Sequence, residues 1–144
     1  MLKGIPAILP PELLKILCEM GHGDEITIGD ANFPGASLSS RVVRMDGHGV
    51  PEILDAILTL IPLDQYVEHP AVLMQVVPGD PTETPIWETY REILARHEER
   101  GAACLEETER FAFYDRVKEK SYAVVMSGET ATYANVILKK GVIK

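Results

Sequence analysis

Glu19-Met-Gly-His-Gly-Asp-Glu-Ile-Thr-Ile-Gly-Asp30 is the stretch that decides the fold. Its second half, Glu25–Asp30, alternates polar and apolar residues, the period of a strand ending at Asp30. Upstream, Pro10 and Pro11 open a helix at a position where a missing amide hydrogen costs little. Leu13, Ile16, Leu17 and Met20 then recur at helical spacing along one face. Gly21 follows that stripe, where a left-handed backbone is often needed.

The alternation of helix and strand continues downstream. Residues 31–40, with Asn32, Pro34, Gly35 and several serines, read as a loop, and residues 41–45 as a short strand before the turn Asp46-Gly-His-Gly49. Leu54, Ile57, Leu58 and Ile61 mark a second helix that stops at Pro62. Residues 71–77 form an apolar run fit for a strand buried on both faces. A loop over 78–85 ends in Thr84-Pro85, the expected cap of a third helix with Ile86, Tyr90, Ile93 and Leu94 inward. Phe113 and Val117 predict a fourth helix over 109–120, and residues 122–127 and 135–139 predict two closing strands. The pattern predicts an α/β fold: one three-layer α/β/α domain over residues 1–144 with a central, mostly parallel sheet. Ligands of such sheets collect beyond the carboxyl ends of strands. His22 precedes the Glu25–Asp30 strand and Asp30 ends it, so only the fold can bring the two together.

Composition narrows the classes of function. The chain has 144 residues, 46% of them apolar, and a net charge of −8. That charge opposes nucleic-acid binding, which rests on Lys and Arg neutralising phosphates, and favours a neutral or weakly charged partner. Cys18 and Cys104 form neither a metal motif nor a disulfide framework. Cys18, among Leu14, Leu17 and Met20, reads as a reduced, buried thiol of a cytoplasmic protein. The start of the chain lacks the pattern of a signal peptide, and apolar stretches stop short of the ~20 residues of a membrane helix.

Several groups could carry chemistry. His22 lies between glycines, where the backbone turns and a small molecule can approach, and imidazole transfers protons in either direction near neutrality. Asp30 could accept a sugar hydroxyl or orient an imidazole. In Arg110-Phe-Ala-Phe-Tyr114 a guanidinium offers a rigid fork of donors beside aromatic rings. In Tyr133-Ala134-Asn135 a phenol and an amide can each donate and accept, which suits hydroxyl groups. Each has a plainer alternative: a surface histidine, a turn-capping aspartate, an arginine paired with a nearby glutamate, a turn asparagine. Phe111 and Phe113 read as core and Asp115-Arg116 as a solvated helix face. His22, Asp24, Asp30 and His48 are potential metal ligands, but no zinc-type spacing occurs. Neither a G-x-G-x-x-G nor a lysine-bearing phosphate loop is present.

Six blocks in order carry a resemblance: Met1-Leu-Lys-Gly-Ile5, Pro11-Glu-Leu-Leu-Lys15, Glu19-Met-Gly-His-Gly-Asp-Glu25, Asp30-Ala-Asn-Phe-Pro34, Arg110-Phe-Ala-Phe-Tyr114 and Asn135-Val-Ile-Leu-Lys-Lys-Gly141. The chain resembles the RbsD/FucU family of sugar mutarotases, and its Asp30 and Arg110 blocks are similar to the L-fucose branch more than to the D-ribose pyranase branch. The resemblance implies an RbsD-like fold and interconversion of the α and β anomers of L-fucose, with pyranose–furanose exchange of related sugars. It implies no cofactor and no metal. By the same resemblance His22 is the acid/base residue, and Asp30, Arg110, Tyr133, Ala134 and Asn135 contact the sugar, with the Ala134 methyl near the ligand. It further implies a ring-shaped homodecamer with sites near subunit boundaries. The competing expectations are a non-catalytic monosaccharide-binding protein, a D-ribose pyranase, and a metal-dependent hydrolase using His22, Asp24 and His48.

Overall fold

The strand at the centre of the fold, β1 (Glu25–Gly29), is buried along its whole length despite its alternating sequence, because helices cover both faces of the sheet. The computed structural model describes residues 1–144. In chain order its elements are α1 (Pro11–Glu19), β1, α2 (Gly35–Leu38), β2 (Val42–Met45), α3 (Val50–Leu60), β3 (Ala71–Met74), α4 (Ile86–His97), β4 (Leu105–Thr108), α5 (Arg110–Lys120), β5 (Ser121–Ser127) and β6 (Val136–Lys139). A 3₁₀ turn, Gly101–Cys104, precedes β4. The strands form one six-stranded sheet in the order β2-β5-β1-β6-β3-β4. All the pairings are parallel except those of β6, which runs antiparallel to β1 and β3 on either side. The sheet is mixed and mostly parallel, within a three-layer α/β fold.

Strand pleating sorts the core into two layers. Ala123, Val125, Leu73, Val136 and Leu138 face the cluster built on α1, α3 and α4. Val124, Met126, Val72 and Ile137 alternate with them and face Phe113 and Val117 of α5. No helix is long and apolar enough to cross a membrane.

Several local expectations change. Residues 35–38 form a short helix inside the expected loop, and β3 stops at Met74 instead of Val77. The sequence of β4, Leu-Glu-Glu-Thr, has no apolar run because it is a partly exposed edge strand. Helix α4 follows Pro85 as its N-cap residue, without a side-chain cap from Thr84, whereas Glu109 caps α5 by accepting the amides of Phe111 and Ala112. Cys18 is exposed and not buried, since it lies off the apolar stripe of α1; Cys104 is the buried thiol. Phe111 is 66% exposed while Phe113 is fully buried, because the two lie on different sides of α5.

Arg116 is not on a solvated face. It reaches from α5 to Glu25, a buried carboxylate at the start of β1, with Nη2 2.7 Å from Oε1 and Nε 3.0 Å from Oε2. This two-point contact compensates a charge that the core could not otherwise hold. Arg116→Met should destabilise the fold by about 3 kcal/mol, because Glu25 would be left buried and unpaired. Guanidinium chloride unfolding measures the loss, and Arg116→Met combined with Glu25→Gln should recover part of it.

Candidate active site

The antiparallel entry of β6 brings its amino end to the edge where the parallel strands present their carboxyl ends. A cavity of about 300 Å³ opens there, lined from the end of β1 by Asp30, Asn32 and Phe33, and from the end of β3 by Met74, Asp80 and Thr82. Arg110 and Tyr114 enter from the first turns of α5, and Thr132, Tyr133 and Asn135 from the segment before β6. Four residues predicted from the sequence, Asp30, Arg110, Tyr133 and Asn135, therefore share one cavity although 105 positions separate the first from the last. Gly29 is required beside it, since a side chain there would collide with the ring of Phe33 folded back onto the strand.

Asp30 is 6% exposed. Burial raises its carboxyl above the ordinary aspartate range, opposed by the amides of Asn32, Ala134 and Phe33. Its own N–H donates to Asn135 Oδ1 at 2.7 Å. That contact uses the acceptor of the Asn135 amide and leaves its NH2 as the group for a ligand. Arg110 Nε donates to Tyr114 Oη at 3.2 Å, and this phenol raises the guanidinium above its ordinary value. The glutamate pairing that the sequence left open is not formed by Arg110.

Tyr133 is the one non-glycine residue with a positive φ, 56°, a left-handed conformation that costs an L residue roughly 1–2 kcal/mol. Helix α4 imposes it. Trp87 Nε1 donates to the Tyr133 carbonyl at 2.8 Å, and Tyr90 Oη donates to the Ala134 carbonyl at 2.7 Å. Burial pushes the Tyr90 phenol far up, so it acts as a fixed donor. Ala134 is fully buried and its methyl packs in the core instead of lining the cavity; its amide serves by facing Asp30.

His22 does not join this group within one chain. It precedes β1 while Asp30 follows it, and an extended strand of that length keeps its ends on the order of 20 Å apart. The histidine loop is nevertheless built firmly. Gly21 N–H donates to Asp24 Oδ2, Gly23 N–H donates to the Lys140 carbonyl, and Lys140 Nζ donates to the carbonyls of Leu17 and Met20. The left-handed residue is Gly23, with φ 86°, and not Gly21, because helix α1 ends in extended backbone at Met20. The His22 ring is 47% exposed, and its Nε2 lies 3.0 Å from Oδ1 of Asp64, whose side chain is 3% exposed. Burial alone would raise the Asp64 carboxyl, but the Tyr66 amide and the His22 ring outweigh it and hold it below the ordinary range. A buried carboxylate thus fixes one imidazole nitrogen, Nε2, and leaves Nδ1 free of that contact.

The expected metal ligands diverge: His22 faces Asp64, Asp24 binds the Gly21 amide, His48 Nδ1 lies 3.0 Å from Glu52, and Asp30 is at the other end of β1. Asp64 and Asp80 were not legible as site residues. Asp64 lies 42 positions from His22, with no spacing to relate them, and Asp80 sits within the loop over 78–85, where no motif singles it out.

The fold and the cavity define an α/β protein with a small-molecule site whose lining both donates and accepts hydrogen bonds. The chain belongs to the RbsD / FucU transport protein family, whose sequence profile matches residues 3–143. It is similar to the human protein named fucose mutarotase, with 50% identity covering 99% of this chain and 94% of that one. The crystal structure of FucU from Bifidobacterium longum superimposes with a TM-score of 0.96 at 58% identity, covering 99% of this chain and 100% of the other. The fucose mutarotase of Streptococcus pneumoniae, solved in complex with L-fucose, matches with a TM-score of 0.94 at 48% identity over 99% of this chain and all of that one.

The clamp from α4 is testable. Trp87→Phe leaves the Tyr133 carbonyl without its donor and should cost about 1–3 kcal/mol in denaturant unfolding; an unchanged midpoint and slope would show that the indole does not hold the loop.

Proposed function

We propose that this protein is an enzyme that interconverts the α and β anomers of L-fucose in the cavity beyond β1 and β3, without cofactor or metal. The observation that carries this reading is the convergence of Asp30, Arg110, Tyr133 and Asn135 on one cavity, in a chain whose full-length relatives bear the name fucose mutarotase. Asp30 offers a carboxylate, Arg110 and Asn135 offer N–H donors, and Tyr133 offers a phenol, which together suit a neutral ligand bearing several hydroxyls. The lining carries no cluster of cations for a phosphate.

Mutarotation sets the chemical demand. Ring opening removes the proton from the anomeric hydroxyl and delivers one to the ring oxygen. Rotation about C1–C2 then exposes the other carbonyl face, and closure reverses the proton traffic. His22 is the acid/base residue in this reading, donating to the ring oxygen through Nδ1 while Asp64 holds Nε2 and stabilises the imidazolium. Asp30 and Arg110 grip hydroxyls, and Tyr133 and Asn135 hold the reacting end.

Because His22 lies on the opposite edge of its own sheet, it serves the cavity of a neighbouring copy. Exposed apolar side chains occur at both edges that such a contact would join: Tyr66 and Ile143 near the His22 edge, and Phe111 and Val77 in an adjoining depression that shares Arg110 with the cavity. Contact between two different surfaces of identical chains propagates head to tail and forms a ring when the rotation between copies closes, as the homodecamer implied by the family resemblance requires. Two unpaired cysteines suit a cytoplasmic protein.

His22→Ala should lower anomer exchange, read by saturation-transfer NMR on the anomeric protons, by about 10²–10⁴-fold in a folded protein. Near-normal exchange would remove the histidine from its role, and sugar binding without any exchange in the wild type would favour a binding protein. Co-assembly tests the shared site. Neither His22→Ala nor Arg110→Glu should be active alone, but a reassembled mixture should regain about a quarter of the sites, since one partner supplies the histidine and the other the cavity. No recovery in verified mixed oligomers would confine the site to one chain.

A further inference from the structure

The contact between Tyr133 and Asp80 fixes which way the phenol can act. Tyr133 Oη donates to Asp80 Oδ2 at 2.5 Å and accepts the Val77 N–H at 3.4 Å. The other carboxylate oxygen, Oδ1, is held by both donors of Thr82, the amide at 2.9 Å and the hydroxyl at 2.5 Å. A phenol has one proton to donate and accepts through its oxygen. The proton is committed to Asp80, so toward the cavity the oxygen offers acceptor density and no hydrogen.

We propose that Asp80 is a positioning residue for the reaction: by taking the Tyr133 proton it makes the phenol an acceptor toward the sugar, able to hold a hydroxyl by its hydrogen and unable to deliver a proton to it. This role rests on the reading of the cavity as the fucose site. It sorts the lining into two kinds. Asp30 and Tyr133 accept, while the Asn135 NH2 and Arg110 donate, and a sugar hydroxyl placed between the two kinds is satisfied on both sides. Hydrogen bonds from Thr82 and then Tyr133 hold the Asp80 carboxyl below the ordinary range, so it is ionised at neutral pH and keeps its acceptor character. The same contact raises the Tyr133 phenol; Arg110, from α5, faces that phenol and acts in the opposite direction, and Asp30 lines the cavity from the end of β1. Polarity is therefore set by a loop residue that lies 53 positions from the tyrosine it controls.

Asp80→Asn isolates this effect. The two Thr82 donors retain the amide oxygen, so the amide NH2 faces Tyr133, donates to it and turns the phenol proton into the cavity. The shape is preserved and the polarity is inverted. Fucose anomer exchange in the intact oligomer should lose about 10- to 100-fold in kcat/KM, the scale of a hydrogen bond involving a charged group. Most of the loss should lie in KM, because the acceptor contact already exists before ring opening. Introduced into Tyr133→Phe, the same change should cost nothing further. An active wild type whose Asp80→Asn variant stays within about twofold, or whose loss persists undiminished in Tyr133→Phe, overturns the role alone. A wild type that does not exchange fucose anomers overturns the functional reading and this role with it. Should Asp80→Asn not fold, near-ultraviolet titration of wild type against Tyr133→Phe decides: the phenol missing from the variant must ionise later than an ordinary tyrosine, and ordinary titration overturns the proposal.

Discussion

The hydrogen bond from the Asp30 N–H to Asn135 Oδ1, 2.7 Å long and buried, ties the end of the central strand to the start of the strand inserted beside it. Much of the candidate site depends on it. Because β6 runs against its neighbours, its amino end meets the carboxyl ends of β1 and β3, and the residues leading into it fall over the cavity. A parallel β6 would carry Tyr133 and Asn135 to the opposite edge. One antiparallel strand in a mostly parallel sheet thus places the phenol and the amide opposite Asp30.

Three carboxylates divide the work, and each is held by neutral donors or an imidazole instead of a Lys or Arg partner. Asp30 is gripped by backbone amides, Asp64 by the Tyr66 amide and the His22 ring, and Asp80 by Thr82 and Tyr133. Their environments separate them. Burial dominates at Asp30 and raises it; hydrogen bonds prevail at Asp64 and Asp80 and lower them. A salt bridge would commit each charge to a fixed cation, whereas amides and hydroxyls stabilise the carboxylate and leave it available to a neutral ligand or to a histidine. The buried charge that is locked by arginine, Glu25, lies away from the cavity and serves the fold.

Rigidity around the cavity comes from the helix layer. Trp87 and Tyr90 hold two successive carbonyls of the Tyr133–Ala134 segment, so the strained backbone at Tyr133 is over-determined by contacts outside the site. Lys140 does the same for the histidine loop, closing the end of α1 with its ammonium and bonding Gly23 and Asp24 through its backbone. Both edges of the sheet are thereby preorganised, one as an acceptor-and-donor cavity and the other as a fixed imidazole.

Local periodicity by itself determined the helices at Leu13–Met20, Leu54–Ile61 and Ile86–Leu94, the strand at Glu25, and hence the α/β class, since those signals depend only on residues a few positions apart. Side-chain chemistry raised His22, Asp30, Arg110, Tyr133 and Asn135 as candidates, each beside a plainer turn or surface reading, and the family resemblance gathered them into one set. Tertiary structure alone decided the rest. The pairing of the polar Leu105 strand at the sheet edge, the contact of Arg116 with Glu25, and the pairings of His22 with Asp64 and Tyr133 with Asp80 all join residues with no periodic relation along the chain. The separation of His22 from the cavity has the same origin: neighbours in sequence across a strand are carried to opposite edges of the sheet, because an extended chain converts eight residues into distance.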